Sequence, residues 1–398
     1  MKIAYISDTY LPETNGIVTA IVRHSATLAE RGHEFLVLCP RYGTGDPKGY
    51  GRIHIERYGA VSAGSNEDTH VALPWLFGMV RTLREFKPDI IHAHTPLPIG
   101  VTGVIAAKLL GVPLIQTYHS YMPGFIQYLD LRRLLKLDTG PRRVKDDRFS
   151  WLVTRLLYNR ADLVLTPSRT LMAELRRHRV RSPVRYQTNG IELAEFPPKD
   201  DYALHKRIVH IGRLGYEKHA DVVVRAFALF ARTHPDWSLH ILGEGPARPY
   251  LLRLAAELDI EKHVEWSGFI DRMQLAKAYR DADIFATAST IETQGIVVLE
   301  AMASGTPVVG VNALAVPEMA HDGRDGIIVE PYDAEAMSQA FARLADDDAL
   351  RERMGRTARE SVKAHLLLDA VDRLEQVYEA VAQGLAGDPG DGRCDGVG

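Results

Sequence analysis

The first half of the chain alternates short apolar runs with longer segments of helical spacing. In one such segment, Ile17–Arg31, apolar residues lie on one face and Gly32 follows as a helix-ending residue. The short runs predict strands at Lys2–Ser7, Phe35–Leu38, Asp89–His94, Pro113–Thr117, Leu163–Thr166 and Val184–Gln187. This alternation predicts βαβ units around a parallel sheet.

The alternation restarts in the second half. Strands are predicted at Arg207–Ile211, Ser238–Leu242, Val264–Trp266, Asp283–Thr287, Pro307–Val309 and Gly326–Val329. Helical patterns separate them at Asp221–Arg232, Arg248–Leu258 and Met273–Tyr279, and a helical region runs from Asp333 to about Gln383. The pattern predicts a second parallel sheet of the same kind.

Two prolines followed by charged residues, Pro197-Pro198-Lys199-Asp200-Asp201, mark the predicted domain boundary. We predict an α/β fold of two Rossmann-like, doubly wound domains, with a ligand in the cleft between the carboxyl ends of their strands. The domains are predicted at 1–196 and 207–370, joined by a linker at 197–206. A helix at 371–383 is expected to return to the first domain, and the glycine-rich tail at 384–398 to be disordered.

The composition is that of a soluble globular protein, with 46% apolar and 25% charged residues. The two cysteines, Cys39 and Cys394, are far apart, which argues against a disulfide framework and fits a reducing compartment. No apolar run reaches the roughly 18 residues of a membrane span, and the N-terminal run is predicted to be a strand rather than a signal peptide. We therefore expect a cytoplasmic protein.

The net charge of −3 conceals a basic segment. Residues 131–185 carry 15 Lys and Arg against 5 Asp and Glu, so the rest of the chain is strongly acidic. Such a segment suits anionic lipid or phosphate-bearing ligands. The alternative is a solvated helical face whose arginines pair with carboxylates elsewhere.

The strongest chemical signal lies between Glu292 and Gly305, where a predicted strand leads through a loop into a helix beginning near Gly295. Unpaired N–H groups at a helix start bind phosphate, and the helix dipole adds to the attraction. Glu292 and Glu300 stand eight positions apart, and carboxylates suit sugar hydroxyls because each accepts several hydrogen bonds. The alternative is that Glu292 caps the helix and Glu300 is an ordinary surface residue.

A second signal follows the first strand of the second half, where Arg213 and Lys218 flank a glycine-containing turn. Two cations in such a place can neutralise a diphosphate leaving group, and arginine can bind it through two hydrogen bonds. A surface ion pair with Glu217 is the alternative.

The first half offers weaker candidates. Asn15-Gly16 follows the first strand, where glycine permits close approach of a ligand or simply forms a turn, and His119 follows another strand end, facing the expected cleft. His92 and His94 share one side of a strand but lack matching carboxylates or cysteines, which favours structural roles over metal binding. The absence of Gly-x-Gly-x-x-Gly after the first strand argues against a nicotinamide enzyme.

Taken together, these motifs resemble the retaining glycosyltransferases of family 4, which have the GT-B fold. The resemblance rests on Asn15-Gly16, Tyr118-His119-Ser120, Asn189-Gly190-Ile191, Gly212-Arg213 with Lys218, Gly243-Glu244-Gly245, and the pair Glu292 and Glu300. It implies transfer of a sugar from a nucleotide-sugar donor by front-face attack, with retention of configuration. It also implies that no metal and no cofactor is required.

The resemblance implies roles for individual residues. Arg213 and Lys218 would bind the donor diphosphate, and Glu300 would hold the ribose. Glu292 and His119 would be the catalytic residues that contact the transferred sugar. The remaining implied donor contacts are Gly16 against the phosphate, Phe269 and Ile270 near the base, and the backbone amides of Gly295 and Ile296.

The form Glu292-Thr293-Gln294-Gly295, with Tyr121 and Tyr128, is similar to bacterial diacylglycerol glucosyltransferases. This implies a membrane glycerolipid acceptor that contacts the two tyrosines. For the donor we favour UDP-glucose, with UDP-N-acetylglucosamine and GDP-mannose as the alternatives that the sequence leaves open. Residues 131–185 would then face an anionic membrane, and the enzyme would be peripheral on its inner face. No nucleic-acid partner is expected.

Three alternatives stay open from the sequence. The acceptor could be a soluble natural product or carbohydrate instead of a lipid. A GT-B epimerase or phosphorylase would share the architecture and transform the donor by itself. A sugar-binding protein without catalysis would bind tightly and show no turnover.

Overall fold

The computed structural model describes residues 1–13, 15–43, 49–62, 70–72, 75–123 and 148–385. These residues form two compact units. Of the described residues, unit 1 contains 1–122, 148–190 and 368–385, and unit 2 contains 123 and 191–367.

Unit 1 is built on an eight-stranded sheet in the order β10-β9-β8-β7-β1-β2-β4-β3. Neighbouring strands are parallel except the antiparallel pair of β3 and β4, and β5 and β6 form a separate antiparallel pair. The strands are β1 Lys2–Ile6, β2 Glu34–Pro40, β3 Gly49–Tyr50, β4 Ile53–Tyr58, β5 Ala60–Ser62, β6 His70–Ala72, β7 Ile90–Ala93, β8 Leu114–Thr117, β9 Leu163–Thr166 and β10 Val184–Tyr186.

Among the described residues, five helices belong to unit 1 before the chain enters unit 2. They are α1 Gly16–Glu30, α2 Leu76–Phe86, α3 Pro98–Leu110, α4 Arg148–Tyr158 and α5 Arg169–Arg177. Side chains fix two of the starts: Asn15 accepts hydrogen bonds from the N–H groups of Ile17 and Val18, and Ser168 accepts one from the N–H of Leu171. Caps of this kind satisfy backbone donors that have no partner inside the helix.

Unit 2 has a six-stranded, wholly parallel sheet in the order β13-β12-β11-β14-β15-β16. The strands are β11 Arg207–Ile211, β12 Ser238–Leu242, β13 Val264–Ser267, β14 Ile284–Ala286, β15 Val308–Val311 and β16 Gly326–Val329. The helices are α6 Ala220–Phe230, α7 Arg248–Glu257, α8 Arg272–Arg280, α9 Ile296–Ala303, α10 Val316–Met319, α11 Ala334–Asp346 and α12 Asp348–Ser361. This strand order is that of a Rossmann domain.

The last helix, α13 Leu367–Ala382, packs into unit 1 from its second residue onward. Its Tyr378 hydroxyl lies 2.9 Å from the Tyr5 hydroxyl and 2.7 Å from Nδ1 of His92, all in the interior. The amide of Gln187 donates to the carbonyl of Ala370 at 2.8 Å. These hydrogen bonds join the end of the chain to the sheet of unit 1.

The structure confirms the predicted class of two doubly wound α/β domains, and the predicted strands are present within about two residues of their bounds. Strands β3 to β6 were not predicted, because they are short or alternate: β4 buries Ile53 and Ile55 and exposes His54 and Glu56. Within the described residues, no helix is both long enough and apolar enough to cross a membrane.

Candidate active site

The helix start expected near Gly295 is present in unit 2. Strand β14 ends at Ala286, and α9 begins directly after Gly295, whose φ of 77° is left-handed. This backbone conformation favours glycine, because it costs other residues roughly 1–2 kcal/mol. Among the described residues, the N–H groups of Ile296 and Val297 donate to no carbonyl or side chain. They are therefore available to an anionic oxygen.

Lys218 and Glu292 form an ion pair beside this helix start. Nζ of Lys218 lies 2.7 Å from Oε1 of Glu292, and the side chains are 24% and 13% exposed. Burial by itself raises the pKa of Glu292, but the charge and hydrogen bond of Lys218, with smaller contributions from Ser289 and His210, bring the pKa below its usual value. Glu292 is thus ionised, and it does not cap the helix, where Gly295 is the cap residue.

Arg213 occupies the turn after β11, and its side chain is about half exposed, with Nη2 3.7 Å from Oε1 of Glu217. A neighbouring loop packs tightly on this turn: the N–H of Leu214 donates to the carbonyl of Glu244 at 2.8 Å. At Gly245 a Cβ would lie only 2.5 Å from the Leu214 carbonyl oxygen. Two closely packed loops therefore hold the backbone that carries Arg213.

Glu300 lies inside α9 and is only 4% exposed. Nη1 of Arg272 donates to its Oε1 at 2.8 Å, and the buried hydroxyl of Tyr279 donates to its Oε2 at 3.0 Å. Arg272 also pairs with Glu195. The sequence reasoning missed Arg272 and Tyr279, because nothing in the spacing of α8 indicates that it packs on α9. Their hydrogen bonds orient Glu300 and rule out an ordinary surface role for it.

Phe269 and Ile270 follow β13, in the segment expected near the donor base. Ile270 packs against the core of unit 2, whereas the ring of Phe269 is largely exposed. An exposed ring next to an anchored residue offers an apolar face to a planar ligand.

In unit 1, Gly16 is the first residue of α1 and is exposed. The side chain of Asn15 already accepts hydrogen bonds from the N–H groups of Ile17 and Val18, at 3.0 and 2.9 Å. The start of this helix is therefore capped by the protein itself, unlike the start of α9.

His119 belongs to a stack of three buried imidazoles. Its Nε2 lies 3.1 Å from Nδ1 of His94, and the His94 ring stacks on His92 with centroids 4.0 Å apart. His92 bonds through its two nitrogens to the hydroxyls of Tyr378 and Thr117, a structural arrangement. Burial lowers the pKa of His119 to about 3, so this imidazole is neutral at physiological pH. It can exchange hydrogen bonds with a ligand but supplies no charge.

Of the two tyrosines expected to contact the acceptor, the structure describes one. Tyr121 is partly buried, with its ring 6.1 Å from that of Trp151, and Tyr128 lies outside the described residues. As for metals, the described part of the chain contains no group of three or more His, Cys, Asp or Glu placed to hold an ion. The roles of all the predicted site residues, and independence from metal, stay predictions.

Each half of the chain matches the model of a known protein family. Residues 14–195 match the model described as Glycosyltransferase Family 4, and residues 197–361 match the model described as Glycosyl transferases group 1.

Two curated proteins are each 30% identical to this chain. One is the alpha-monoglucosyldiacylglycerol synthase of Streptococcus pneumoniae, aligned over 323 residues that cover 78% of this chain and 70% of that protein. The other is a GDP-mannose-dependent alpha-mannosyltransferase of Mycolicibacterium smegmatis, aligned over 397 residues that cover 96% of this chain and 98% of that protein.

Solved structures agree on the fold. Sucrose-phosphate synthase from Thermosynechococcus elongatus superposes with a TM-score of 0.79 at 20% identity, covering 96% of this chain and 99% of that one. Anabaena Alr3699/HepE in complex with UDP-glucose superposes with a TM-score of 0.76 at 18% identity, covering 96% and 100%. With the family models and the 30% identical relatives, these matches confirm the resemblance: the chain belongs to glycosyltransferase family 4 and has the GT-B fold.

Proposed function

We propose that this glycosyltransferase transfers a hexose from a UDP-sugar to a hydroxyl group of a membrane glycerolipid, with retention of configuration and without a metal ion. The supporting observation is the group formed by the N–H donors of Ile296 and Val297 and the ion pair of Lys218 with Glu292. Amides and an ammonium suit a diphosphate, and an ionised carboxylate suits the hydroxyls of the sugar attached to it.

In the proposed step, the bond between the sugar's anomeric carbon and the β-phosphate oxygen breaks, and its electron pair stays on that oxygen. The acceptor hydroxyl oxygen forms the new bond on the same face of the sugar, and its proton passes to the β-phosphate oxygen. Arg213 and Lys218 stabilise the charge that develops on the diphosphate. His119, being neutral, would orient the sugar through a hydrogen bond.

The lipid acceptor is supported by the name of the Streptococcus pneumoniae relative and by the basic segment at 131–185. A second candidate donor, GDP-mannose, is favoured by the Mycolicibacterium smegmatis relative, which aligns over nearly its full length. Melting temperatures measured with UDP, UDP-glucose, UDP-N-acetylglucosamine and GDP-mannose distinguish the two, because a ligand at 100 times its Kd stabilises the native state by about 2.7 kcal/mol. A shift with GDP-mannose alone would replace the UDP assignment.

The diphosphate assignment is tested by Arg213→Ala and Lys218→Ala. Each is expected to lower transfer on the order of 100-fold or more, since each removes a charge that acts on the leaving group. Lys206→Ala is the matched control, because Lys206 forms an ion pair with Asp236 in the same unit, outside the proposed site. Wild-type rates in both site variants would refute the assignment.

The same assays test the other functional classes. Incubation of the purified enzyme with donor alone should give at most slow hydrolysis, and addition of diacylglycerol should give a glycolipid. Conversion of the donor without any acceptor would indicate an epimerase or phosphorylase, and binding without turnover would indicate a sugar-binding protein. Full activity in excess EDTA is expected if no metal takes part.

A further inference from the structure

Three histidines at the carboxyl ends of two neighbouring strands in unit 1 form one buried group. His92 lies in β7, His94 directly follows that strand, and His119 lies just beyond the end of β8. The parallel strands β7 and β8 pair Ala93 with Gln116, so the residues that follow them meet at the same edge of the sheet. Each of the three histidines is at most 8% exposed.

Packing fixes the ring of His94. It stacks on His92 with ring centroids 4.0 Å apart, and hydrogen bonds join both nitrogens of His92 to the hydroxyls of Tyr378 and Thr117. The ring of Tyr5 meets His94 at an angle of 68°, with centroids 4.6 Å apart. The His94 ring therefore cannot turn without displacing rings that are themselves held in place.

Within the described residues, the ring of His94 forms its one hydrogen bond with His119. Its Nδ1 lies 3.1 Å from Nε2 of His119, while its Nε2 is buried without a partner. Burial lowers the pKa of both imidazoles, so both are neutral and one proton is shared in this contact. A buried polar atom without a partner costs stability, and an apolar side chain would fill the space without that cost. The bond to His119 is thus what a histidine supplies at position 94 and an apolar residue cannot.

His119 depends on the same contact. Among the described residues its ring forms no other hydrogen bond, so Nε2 is held by His94 and Nδ1 is left for a ligand. His94 is only 2% exposed and has little surface of its own to offer to a ligand. Any influence of His94 on a ligand therefore passes through His119.

We propose that His94 is a positioning residue for sugar transfer, because its hydrogen bond holds the His119 ring in the orientation that presents Nδ1 to the transferred sugar. A ring turned over would offer a carbon atom in place of that nitrogen, and small errors in orientation cost large factors in rate. The shared proton also couples the tautomer of His119 to that of His94. The inference rests on the proposed function, in which His119 orients the sugar, and adds the residue that orients His119.

Two substitutions of equal shape test the hydrogen bond. Asparagine and leucine both remove the imidazole and its stacking on His92, but only the asparagine amide can replace Nδ1 as a partner of His119. We expect kcat of H94L to be on the order of tenfold or more below that of H94N. The buried amide should nevertheless make H94N the less stable of the two, an order that packing alone would not combine with higher activity. Equal kcat values in the two variants would overturn the proposal.

H94F tests the same bond with less loss of packing. Its flat ring can still stack on His92 but offers no nitrogen to His119, so kcat should again fall on the order of tenfold or more. A folded H94F protein with the wild-type kcat would overturn the proposal. In all three variants, the nucleotide that stabilises the wild type should raise the melting temperature by the same amount, because its proposed contacts lie in unit 2. A lost response would mean that the substitution disturbs the whole donor site, which also contradicts a positioning role.

The same pair of variants in an H119L background separates this inference from the proposed function. H119L lacks the group that His94 would position, so H94N/H119L and H94L/H119L should transfer sugar at the same low rate. A difference that persists there would mean that His94 acts on the sugar directly, and the positioning role would be wrong. Wild-type transfer by H119L itself would refute the role of His119 in the proposed function. Impaired transfer by H119L, with equal rates for H94N and H94L, would refute the role of His94 alone.

Discussion

Replacement of Lys218 by methionine would leave a charge without its partner. Methionine keeps the length of the side chain but removes the ammonium that lies 2.7 Å from Glu292. Glu292 is mostly buried, which raises its pKa, but Lys218 is the largest of the influences that together bring this pKa below the usual value. In the variant, an ionised carboxylate remains in a poorly hydrated place.

The expected loss of unfolding free energy in K218M follows from the burial of the Lys218–Glu292 pair. Stranding one partner of a fully buried pair costs about 3–5 kcal/mol, and the partial exposure of this pair suggests about 2–3 kcal/mol. For a unit of this size that corresponds to a melting temperature lower by roughly 4–12 °C. K218M/E292Q should be less destabilised than K218M, because no charge is stranded. K206M, which disrupts the pair with the fully exposed Asp236, should lower the melting temperature much less, because water screens such a pair.

The effect should depend on pH in a defined direction. A carboxyl with a lowered pKa in the folded state contributes stability above its unfolded pKa, and this stability is lost as pH falls through the folded pKa. In K218M, burial without the ammonium raises the pKa of Glu292, so the variant's carboxylate takes up a proton on acidification before the wild-type carboxylate does. The difference in stability between wild type and K218M should therefore shrink as the pH falls. Calorimetry of the wild type, K218M, K206M and K218M/E292Q at several pH values measures this difference in stability. A K218M protein that melts within about 1 °C of the wild type at pH 7 would refute the pairing argument.

Three further predictions concern other parts of the molecule. R272Q should raise the KM for donor about tenfold or more with a smaller change in kcat, because Arg272 orients Glu300, the carboxylate that we propose holds the donor ribose; an unchanged KM contradicts this. The free energy of unfolding should fall as the pH drops below about 6.5, because His119 takes up a proton in the unfolded chain but stays neutral in the folded state. Urea titrations at several pH values should show that H119N reduces this dependence on pH by up to about 1.4 kcal/mol per pH unit. G245A should lower stability by about 2 kcal/mol or more, because its Cβ meets a backbone oxygen, and clearly more than G323A, where the Cβ meets open space.

The strands buried on both faces were predictable because their apolar runs are continuous. Leu163–Thr166 and Arg207–Ile211 have the predicted bounds. The strands between 49 and 72 were missed, because β4, which lies next to the short edge strand β3, alternates in polarity, and β3 with its two residues carries almost no pattern.

The candidate site was predictable in part. The left-handed Gly295 and the helix after it follow from a local motif, and so do the positions of Glu292 and Glu300. The partners of those carboxylates are distant in sequence: Lys218 is 74 residues from Glu292, and Arg272 is 28 residues from Glu300. No spacing rule joins residues on different helices and loops.

The sequence by itself determined the βαβ alternation, the two parallel sheets and the helix start at Gly295, because each depends on patterns within a few neighbouring residues. Only the tertiary structure decided which cation each carboxylate holds: Glu217 lies near Arg213, and Lys218 pairs with Glu292. It also decided that α4 buries Trp151, stacked on His178 at 3.8 Å, and turns its leucines outward. Long-range packing selects among the faces and partners that local patterns leave equally possible.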